Sequence, residues 1–178
     1  MLDKRVRYFS DGALDFSDLF DEAASNENTI SLLLSMSVGS PRELVKLIDI
    51  IIREHDAQNE VGLLSASSID VGINKYCVNT IETWYPKALL QQVYRVGKPS
   101  FVNKDVQTVF KIGDQGARVK IKTWEDSGLI KLDGTAPSEA GGKPVNKYTV
   151  SDPRVIWIIN NNLDSTVGAT IPDGPEED

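Results

Sequence analysis

The sequence predicts a mainly α-helical protein with a small β-hairpin, organised as an N-terminal helical bundle followed by a second domain. Two observations support this fold class. Apolar residues recur at helical spacing through most of the chain, and glycine or proline marks the ends of these segments. One pair of short extended segments flanks a long glycine-containing loop. With 178 residues, of which 40% are hydrophobic and 25% charged, the chain can form one large or two small folded domains.

Residues 1–82 are expected to form the helical bundle. Residues 5–9 read as a short extended segment, and residues 15–24 read as a short acidic helix. A strongly apolar helix is expected over residues 29–38, where Asn28 can serve as the N-cap and the glycine at position 39 as the C-terminal stop.

The clearest helix start in the chain lies at Ser40. Ser40 fits the N-cap, Pro41 the first helical position and Glu43 the third, which is a capping box with proline at its preferred place. Apolar residues cover most of the helix that follows, so we expect it to be largely buried. A linker and one further helix complete the bundle, over residues 57–68 and 69–81.

Residues 83–163 carry the pattern of a winged helix-turn-helix domain. A turn of three residues, from Ile112 through Gly113 to Asp114, separates two helical segments, and tight glycine-containing turns of this length join the helices of a helix-turn-helix. Asp114 is expected to cap the second of these helices and Gly128 to end it. Helices are expected over residues 86–96, 104–111 and 115–127, with a short extended segment over residues 98–102.

A β-hairpin follows these helices. Strands are expected over residues 129–132 and 144–150, and the long, flexible loop over residues 133–143 would be the wing. A last helix is expected over residues 153–163. The remaining residues, 164–178, are polar and acidic, and we expect them to be disordered.

The charge of the chain is unevenly distributed, although the net value is −7 and the isoelectric point is about 4.8. Residues 1–82 hold 7 lysines and arginines against 14 aspartates and glutamates. Residues 83–160 hold 12 against 7, and residues 161–178 hold none against 5. The negative net charge alone would argue against an anionic partner. The basic middle segment between acidic flanks is more informative, and it indicates an anionic partner for the winged-helix region.

The second helix of the motif carries the main candidates for DNA binding. Ala117, Ile121 and Trp124 are spaced to face the core, so the opposite face is free to enter the major groove. Arg and Gln side chains can read base edges, whereas Lys usually contacts phosphate. The predicted contacts to double-stranded DNA come from Gln115, Arg118, Lys120 and Lys122 on this helix, Lys104 on the supporting helix, and Lys143 and Lys147 beside the wing.

A protein partner is the alternative interpretation of the same residues. In that case the lysines are ordinary solvated side chains, and the winged helix docks another protein or mediates oligomerisation. The basic surface would then meet an acidic partner, or the acidic C-terminal tail of the chain itself.

Arg42 is the second point of interest, because it lies in the first turn of a helix, where a cation is unfavourable and a phosphate is favoured. An ion pair with Glu43, Asp49 or a more distant acid is the structural alternative. The run Gly39-Ser40-Pro41-Arg42-Glu43-Leu44, followed by an apolar helix, resembles the sensor-2 segment of AAA+ and STAND-type P-loop ATPases. The resemblance implies that Arg42 approaches the terminal phosphates of a nucleotide and that its helix belongs to a helical lid.

A lid followed by a winged helix is similar to the C-terminal part of origin-recognition ATPases and of some bacterial P-loop ATPases, including defence-associated ones. In element order this similarity covers about residues 5–163, whereas the motif itself covers six residues. The sequence contains no phosphate-binding Gly-x-x-x-x-Gly-Lys-Ser/Thr loop. The chain is therefore either a fragment of a longer ATPase or a lid and winged helix that act alone. ATP and Mg²⁺ would bind only with a separate ATPase core as the partner.

No constellation in the sequence predicts catalysis or a bound metal. Cys77 is the only cysteine and His55 the only histidine, which excludes thiolate clusters and histidine-rich sites. We expect an interior role for Cys77 and a structural or solvent-facing role for His55. No apolar run is long enough for a membrane span, and the first residues lack the apolar core of a signal peptide, so we expect a cytoplasmic protein without catalytic residues or cofactors of its own.

Overall fold

The computed structural model describes residues 2–58, 62–137 and 143–169. Within these ranges the chain is mainly helical, with eight α-helices and a small antiparallel sheet of three strands. The chain divides into two compact units, Met1–Asn79 and Thr80–Asp178. None of the helices in the described ranges is long and apolar enough to cross a membrane. The predicted fold class is confirmed in its coarse form, as mainly α-helical with a small antiparallel sheet.

Unit 1 is helical throughout its described part, apart from short turns and one isolated β-bridge. Its elements are α1 (Leu2–Phe9), a single 3-10 turn (Phe16–Leu19), α2 (Glu27–Met36), α3 (Pro41–Ala57) and α4 (Ala66–Ile81), whose last residues enter unit 2. Unit 2 continues with α5 (Lys87–Val96), β1 (Ser100–Val102), α6 (Asn103–Phe110), α7 (Asp114–Asp126), β2 (Ile130–Ala136), β3 (Val145–Val150) and α8 (Pro153–Asn160).

The start of α3 follows the sequence prediction, but the capping box is only half formed. The Ser40 hydroxyl accepts a hydrogen bond from the Glu43 N–H at 3.4 Å, with Pro41 as the first helical residue. The Ser40 N–H donates to the carbonyl of Ser37 rather than to Glu43. The Glu43 carboxylate instead accepts from the Tyr76 hydroxyl at 2.8 Å. A bond between α3 and α4 has therefore replaced a local one.

The predictions for the first 24 residues are wrong. Residues 5–9 are not extended but belong to α1, and helical geometry in the segment 15–24 is limited to a 3-10 helix over 16–19 and a turn at 22–24. Between the 3-10 helix and this turn the backbone extends at Phe20, which forms a parallel bridge with Leu64. Phe20 is buried, so pairing with the linker and burial of its ring outweigh the local tendency of this acidic segment to continue as a helix.

Helices α2 and α4 begin earlier than the sequence predicts. Asn26, not Asn28, caps α2, since its side chain accepts a hydrogen bond from the Thr29 N–H at 2.9 Å. The α4 helix begins at residue 66, and the Ser65 hydroxyl accepts from the Ser68 N–H at 3.2 Å. In both cases a polar side chain slightly upstream satisfies backbone donors that a helix end leaves unpaired.

The core of unit 1 brings α3 and α4 unusually close together. A Cβ atom added at Gly72 would lie 2.7 Å from the Cα of Ile51 and 2.5 Å from its Cγ1. The absence of a side chain at residue 72 therefore allows the short distance between the two helices at this point. The buried core of unit 1 draws on both helices and on α2, and includes Leu33, Met36, Leu47, Ile73, Tyr76 and Cys77.

The sheet of unit 2 has the order β1-β3-β2, with both pairs antiparallel. The β2 strand is longer than the sequence predicts, because pairing resumes at Thr135 after an irregularity that follows Leu132. Gly134 has a φ of 83°, a conformation that glycine adopts without strain and that suits a β-bulge. The predicted start of the loop at residue 133 is therefore wrong, and residues 138–142 of that loop lie outside the described ranges.

The turn between α6 and α7 agrees with the sequence prediction except at its end. Lys111 ends α6 with a φ of 50°, and Gly113 occupies the N-cap position of α7. Asp114, predicted as the cap, is instead the first residue of the helix. The core beneath both helices includes Trp124, whose ring lies 6.0 Å from the rings of Phe101 and Phe110.

The start of α8 holds a buried ion pair. Asp152 caps the helix, and its carboxylate accepts hydrogen bonds from the Arg154 Nε at 3.0 Å and Nη2 at 2.6 Å. The Arg154 guanidinium lies 4.8 Å from the centre of the Trp84 ring. Burial, with the negative Asp152 nearby, raises the pKa of the Tyr85 phenol above its ordinary value.

The segment after α8 contacts α5. The helix ends at Asn160, before the predicted residue 163, and Asn162 has a φ of 51°. Turns follow over residues 164–168, and the Gly168 N–H donates to the Tyr94 carbonyl at 3.0 Å. Residues 170–178 of the predicted tail lie outside the described ranges.

Candidate nucleic-acid interface

The α7 helix presents one face to the core and the opposite face to solvent. Ala117, Ile121 and Trp124 are buried, as their spacing predicts. Gln115 and Lys122 are exposed and lie near the centre of the opposite face, because one helical turn contains 3.6 residues. Arg118 is exposed beside them. Three of the four helix residues predicted to contact DNA therefore share one solvent-facing surface.

The polar groups of this face are only weakly engaged. The Arg118 Nε lies 2.9 Å from the Asp114 carboxylate, but the Arg118 side chain is 68% exposed. An exposed ion pair of this kind contributes about 0–1 kcal/mol, so the guanidinium can exchange Asp114 for another acceptor at little expense. Lys122 and Gln115 form no ion pair or side-chain hydrogen bond with the part of the chain that the structure describes.

Lys120 differs from the other predicted contacts on α7. Its Nζ lies 4.7 Å from the centre of the Phe110 ring and 3.4 Å from the Gln92 Oε1. The same Gln92 oxygen accepts a hydrogen bond from the Trp124 Nε1 at 3.1 Å. Lys120 therefore leans toward α5 and α6, away from the exposed face, where it helps to hold α7 in place.

A groove of about 650 Å³ runs between the first turns of α6 and α7 and the arms of the β2–β3 hairpin. Lys104 and Arg118 supply cationic groups to this groove, and Asp114 supplies a carboxylate. Its remaining lining is mostly neutral, with amide and phenol groups that can donate hydrogen bonds, from Asn103, Gln107, Asn146 and Tyr148. The groove thus continues the exposed face of α7 toward the hairpin.

The two lysines predicted beside the wing occupy different settings. The Lys147 Nζ lies 3.8 Å from a carboxylate oxygen of Asp133, across the β-bulge. Lys143 is exposed and precedes Pro144, which lines the groove. Lys143 adjoins residues 138–142, which lie outside the described ranges.

Sequence reasoning missed two residues on α7. Val119 is 58% exposed and lies on the same face as Gln115 and Lys122. Gly116 lies in the first turn, and an added Cβ would meet only Ile112 at ordinary contact distances of 3.4 Å and more. The helical spacing that assigned the core positions could have identified both residues, because neither falls on the buried face.

Arg42 is exposed in the first turn of α3. The two carboxylates named as its structural partners are engaged elsewhere, since Glu43 bonds to Tyr76 and Asp49 pairs with Arg53 at 2.9 Å. Arg42 forms no ion pair with any residue in the described ranges. An apolar cavity of about 380 Å³ lies at the same end of α3, lined by Phe16, Ile30, Leu33, Leu34, Pro41 and Leu44 among others.

The remaining candidates are part of the interior. His55 is buried, and its Nδ1 lies 3.0 Å from the Ser68 hydroxyl. Cys77 is buried and faces the sulfur of Met36. Among the described residues, no group of three or more His, Cys, Asp or Glu side chains could hold a metal ion.

Comparison of the chain with protein-family models, with curated proteins and with solved structures gave no match.

Proposed function

We propose that residues 83–163 form a winged helix-turn-helix domain that binds double-stranded DNA, with α7 as the helix in the major groove. The observation that carries the proposal is the exposed face of α7, where Gln115, Arg118 and Lys122 project together from a helix whose opposite face is buried. Such a face has the length and the chemistry to meet base edges and phosphates.

The order of the elements supports the winged helix-turn-helix fold in this proposal. Helix α5, strand β1, helices α6 and α7, and the β2–β3 hairpin follow one another along the chain. A tight turn joins α6 to α7, as in a helix-turn-helix, and β1 pairs with β3 so that the hairpin flanks the two helices. In this arrangement α6 is the supporting helix and the hairpin is the wing.

The groove between the helices and the hairpin supports the DNA-binding function in this proposal. We assign a phosphodiester strand to this groove, where Lys104 and Arg118 would neutralise phosphates and Asn146 would donate a hydrogen bond. Lys143 directly precedes Pro144, which lines the groove, and Lys122 lies on the exposed face of α7, so both can contact neighbouring phosphates. Lys120 would contribute less directly, since Phe110 and Gln92 already engage it. Lys147 pairs with Asp133 at 3.8 Å in an exposed contact that a phosphate can replace, as at Arg118.

A duplex titration tests the proposal. Fluorescence anisotropy of a labelled mixed-sequence duplex should report binding that weakens with salt, because phosphate contacts release counterions. Arg118→Ala combined with Lys122→Ala should lower the affinity about tenfold to hundredfold and make the salt dependence shallower. The matched control, Lys46→Ala with Arg53→Ala, removes the same charge from exposed positions of α3 in unit 1. No binding at low salt, or equal losses in both double variants, would overturn the proposal.

The apolar cavity of unit 1 favours a second candidate function, a protein–protein contact. Leu34 lines this cavity and is 52% exposed, and Val38 at the end of α2 is 47% exposed. Exposed apolar groups around a cavity are typical of surfaces that dock another protein. The partner would be a second copy of the chain or a P-loop ATPase core, to which the exposed Arg42 could present its guanidinium.

Sedimentation velocity over a range of concentrations tests the self-association form of this candidate. Self-association that Leu34→Glu abolishes would support it, provided that Leu63→Glu leaves the association intact. Leu63 is 53% exposed in the same unit and does not line the cavity, so it is a matched control. A protein that stays monomeric at every concentration would exclude self-association.

A further inference from the structure

We propose that Val119 contacts the 5-methyl group of thymine in the major groove, so that the centre of α7 selects an A·T base pair. This inference deepens the proposed DNA-binding function and rests on it. It assigns a specificity-determining role to a residue that carries no charge and no hydrogen-bonding side chain.

The position of Val119 on the helix is the first observation. Gln115 precedes it by four residues and Lys122 follows it by three, and residues at these spacings are neighbours on a helix surface. Ala117, Ile121 and Trp124 are buried on the other side of α7. Val119, which is 58% exposed, is thus the apolar centre of an otherwise polar surface.

The choice of residue at this position is the second observation. A β-branched side chain loses rotamer freedom in a helix, and exposure means that burial does not compensate for that loss. The neighbouring Thr123 hydroxyl donates to the Val119 carbonyl at 3.0 Å, so it is occupied within the helix. Val119 is 58% exposed, so a ligand with an apolar group would bury valine surface that the described chain leaves open to solvent.

The major groove offers one apolar group for such a side chain to contact. Of the groups that the base pairs present there, the thymine methyl is apolar, and the others are hydrogen-bond donors or acceptors. Gln115, one turn away, has the amide that pairs with the N6 and N7 of adenine. Side chains four residues apart on a helix are about 5–6 Å apart, so the two residues would address base pairs one or two steps apart.

Gly116 favours the close approach that this contact requires. It lies in the first turn of α7 next to Gln115 and is exposed, and no side chain at this position holds a neighbouring molecule away from the helix backbone. Glycine is the residue found where a backbone approaches a ligand closely.

Replacement of thymine by deoxyuracil provides the test, since it removes the methyl group and keeps the base pairing. A duplex is first selected by the wild-type protein from a random pool, and its affinity is then measured with thymine and with uracil at the selected positions. We expect a selected site that contains A·T pairs and a wild-type affinity that falls about fourfold for each contacted methyl that is removed. Val119→Ala should bind the thymine duplex more weakly and show a smaller difference between the two duplexes, because the alanine side chain is shorter.

Each outcome of this experiment bears on a different statement. A wild-type protein that binds DNA with no preference for thymine over uracil would overturn the role of Val119 and leave the DNA-binding proposal intact. Undiminished discrimination in Val119→Ala would do the same, because another residue would then read the methyl. A wild-type protein that binds no duplex at low salt would overturn both proposals, whereas binding without any sequence preference would overturn only the role of Val119. Val78→Ala, at an exposed position of α4, is the matched control and should discriminate as the wild type does.

Discussion

Gly72 in α4 and Gly116 in α7 both lie inside helices, where glycine is unfavourable, and the structure gives them opposite reasons to be there. At residue 72 a Cβ would lie 2.7 Å from the Ile51 backbone, so the packing of unit 1 requires glycine. At residue 116 a Cβ would meet only ordinary contacts, so the fold does not require it. Packing between α3 and α4 thus accounts for Gly72, whereas we propose an external ligand as the reason for Gly116.

Charged residues in unit 2 show the same contrast. Arg154 is fully buried and holds the Asp152 carboxylate in a two-point contact. Lys122 is exposed on α7 and pairs with none of the described residues. Arg154 therefore serves the interior, while Lys122 remains available to an anion from outside the chain.

The largest effect on the free energy of unfolding is expected from Arg154→Ala. This variant tests most directly whether buried cations stabilise the fold and exposed ones do not. Arg154→Ala leaves the Asp152 carboxylate buried without its countercharge and should lower the free energy of unfolding by about 3–5 kcal/mol. Urea denaturation followed by tryptophan fluorescence is the measurement, because Trp84, Trp124 and Trp157 all lie in unit 2. Lys122→Ala should change the same quantity by less than about 0.5 kcal/mol. Similar losses in the two variants would contradict the contrast.

An intermediate effect is expected from Gly72→Ala. The new methyl must displace the Ile51 backbone as well as its side chain, and overpacking of this kind lowers the free energy of unfolding by about 1–3 kcal/mol. Thermal denaturation followed by far-ultraviolet circular dichroism measures the change. A melting temperature equal to that of the wild type would show that α3 and α4 do not pack as closely as the structure indicates.

The smallest effect, with the opposite sign, is expected from Gly116→Ala. Alanine fits the space and is favoured over glycine in a helix, so the free energy of unfolding should rise by about 0.5–1 kcal/mol. In the anisotropy titration the same variant should bind the duplex more weakly, because the methyl group holds the ligand away from the first turn. Increased stability with unchanged DNA affinity would show that DNA binding is not the reason for glycine at residue 116.

Features set by neighbouring residues could be predicted from the sequence. The Ser40 and Pro41 start of α3 and the buried face of α7 both follow from caps or from spacing within one helix. Features set by distant residues could not. The bridge from Phe20 to Leu64 replaced a predicted helix, and the bond from Tyr76 to Glu43 replaced half of a capping box.

The candidate site divides in the same way. The exposure of Gln115, Arg118 and Lys122 follows from the period of one helix, which the sequence contains. The engagement of Lys120 by Phe110 and Gln92 depends on how α5, α6 and α7 pack, and the contact of Lys147 with Asp133 depends on a bulge in β2. Spacing within one segment carries no information about those partners, so only the structure could separate these lysines from the exposed ones.

An NMR titration of ¹⁵N-labelled protein with a short duplex tests the central claim most directly, because it reports both units at once. We expect the largest amide shift changes in the first turns of α6 and α7, around Val119, and along the described arms of the hairpin. Amides of α2 and α3 should change little. Absence of shift changes, or largest changes on α2 and α3, would contradict the assignment of α7 as the DNA-binding surface.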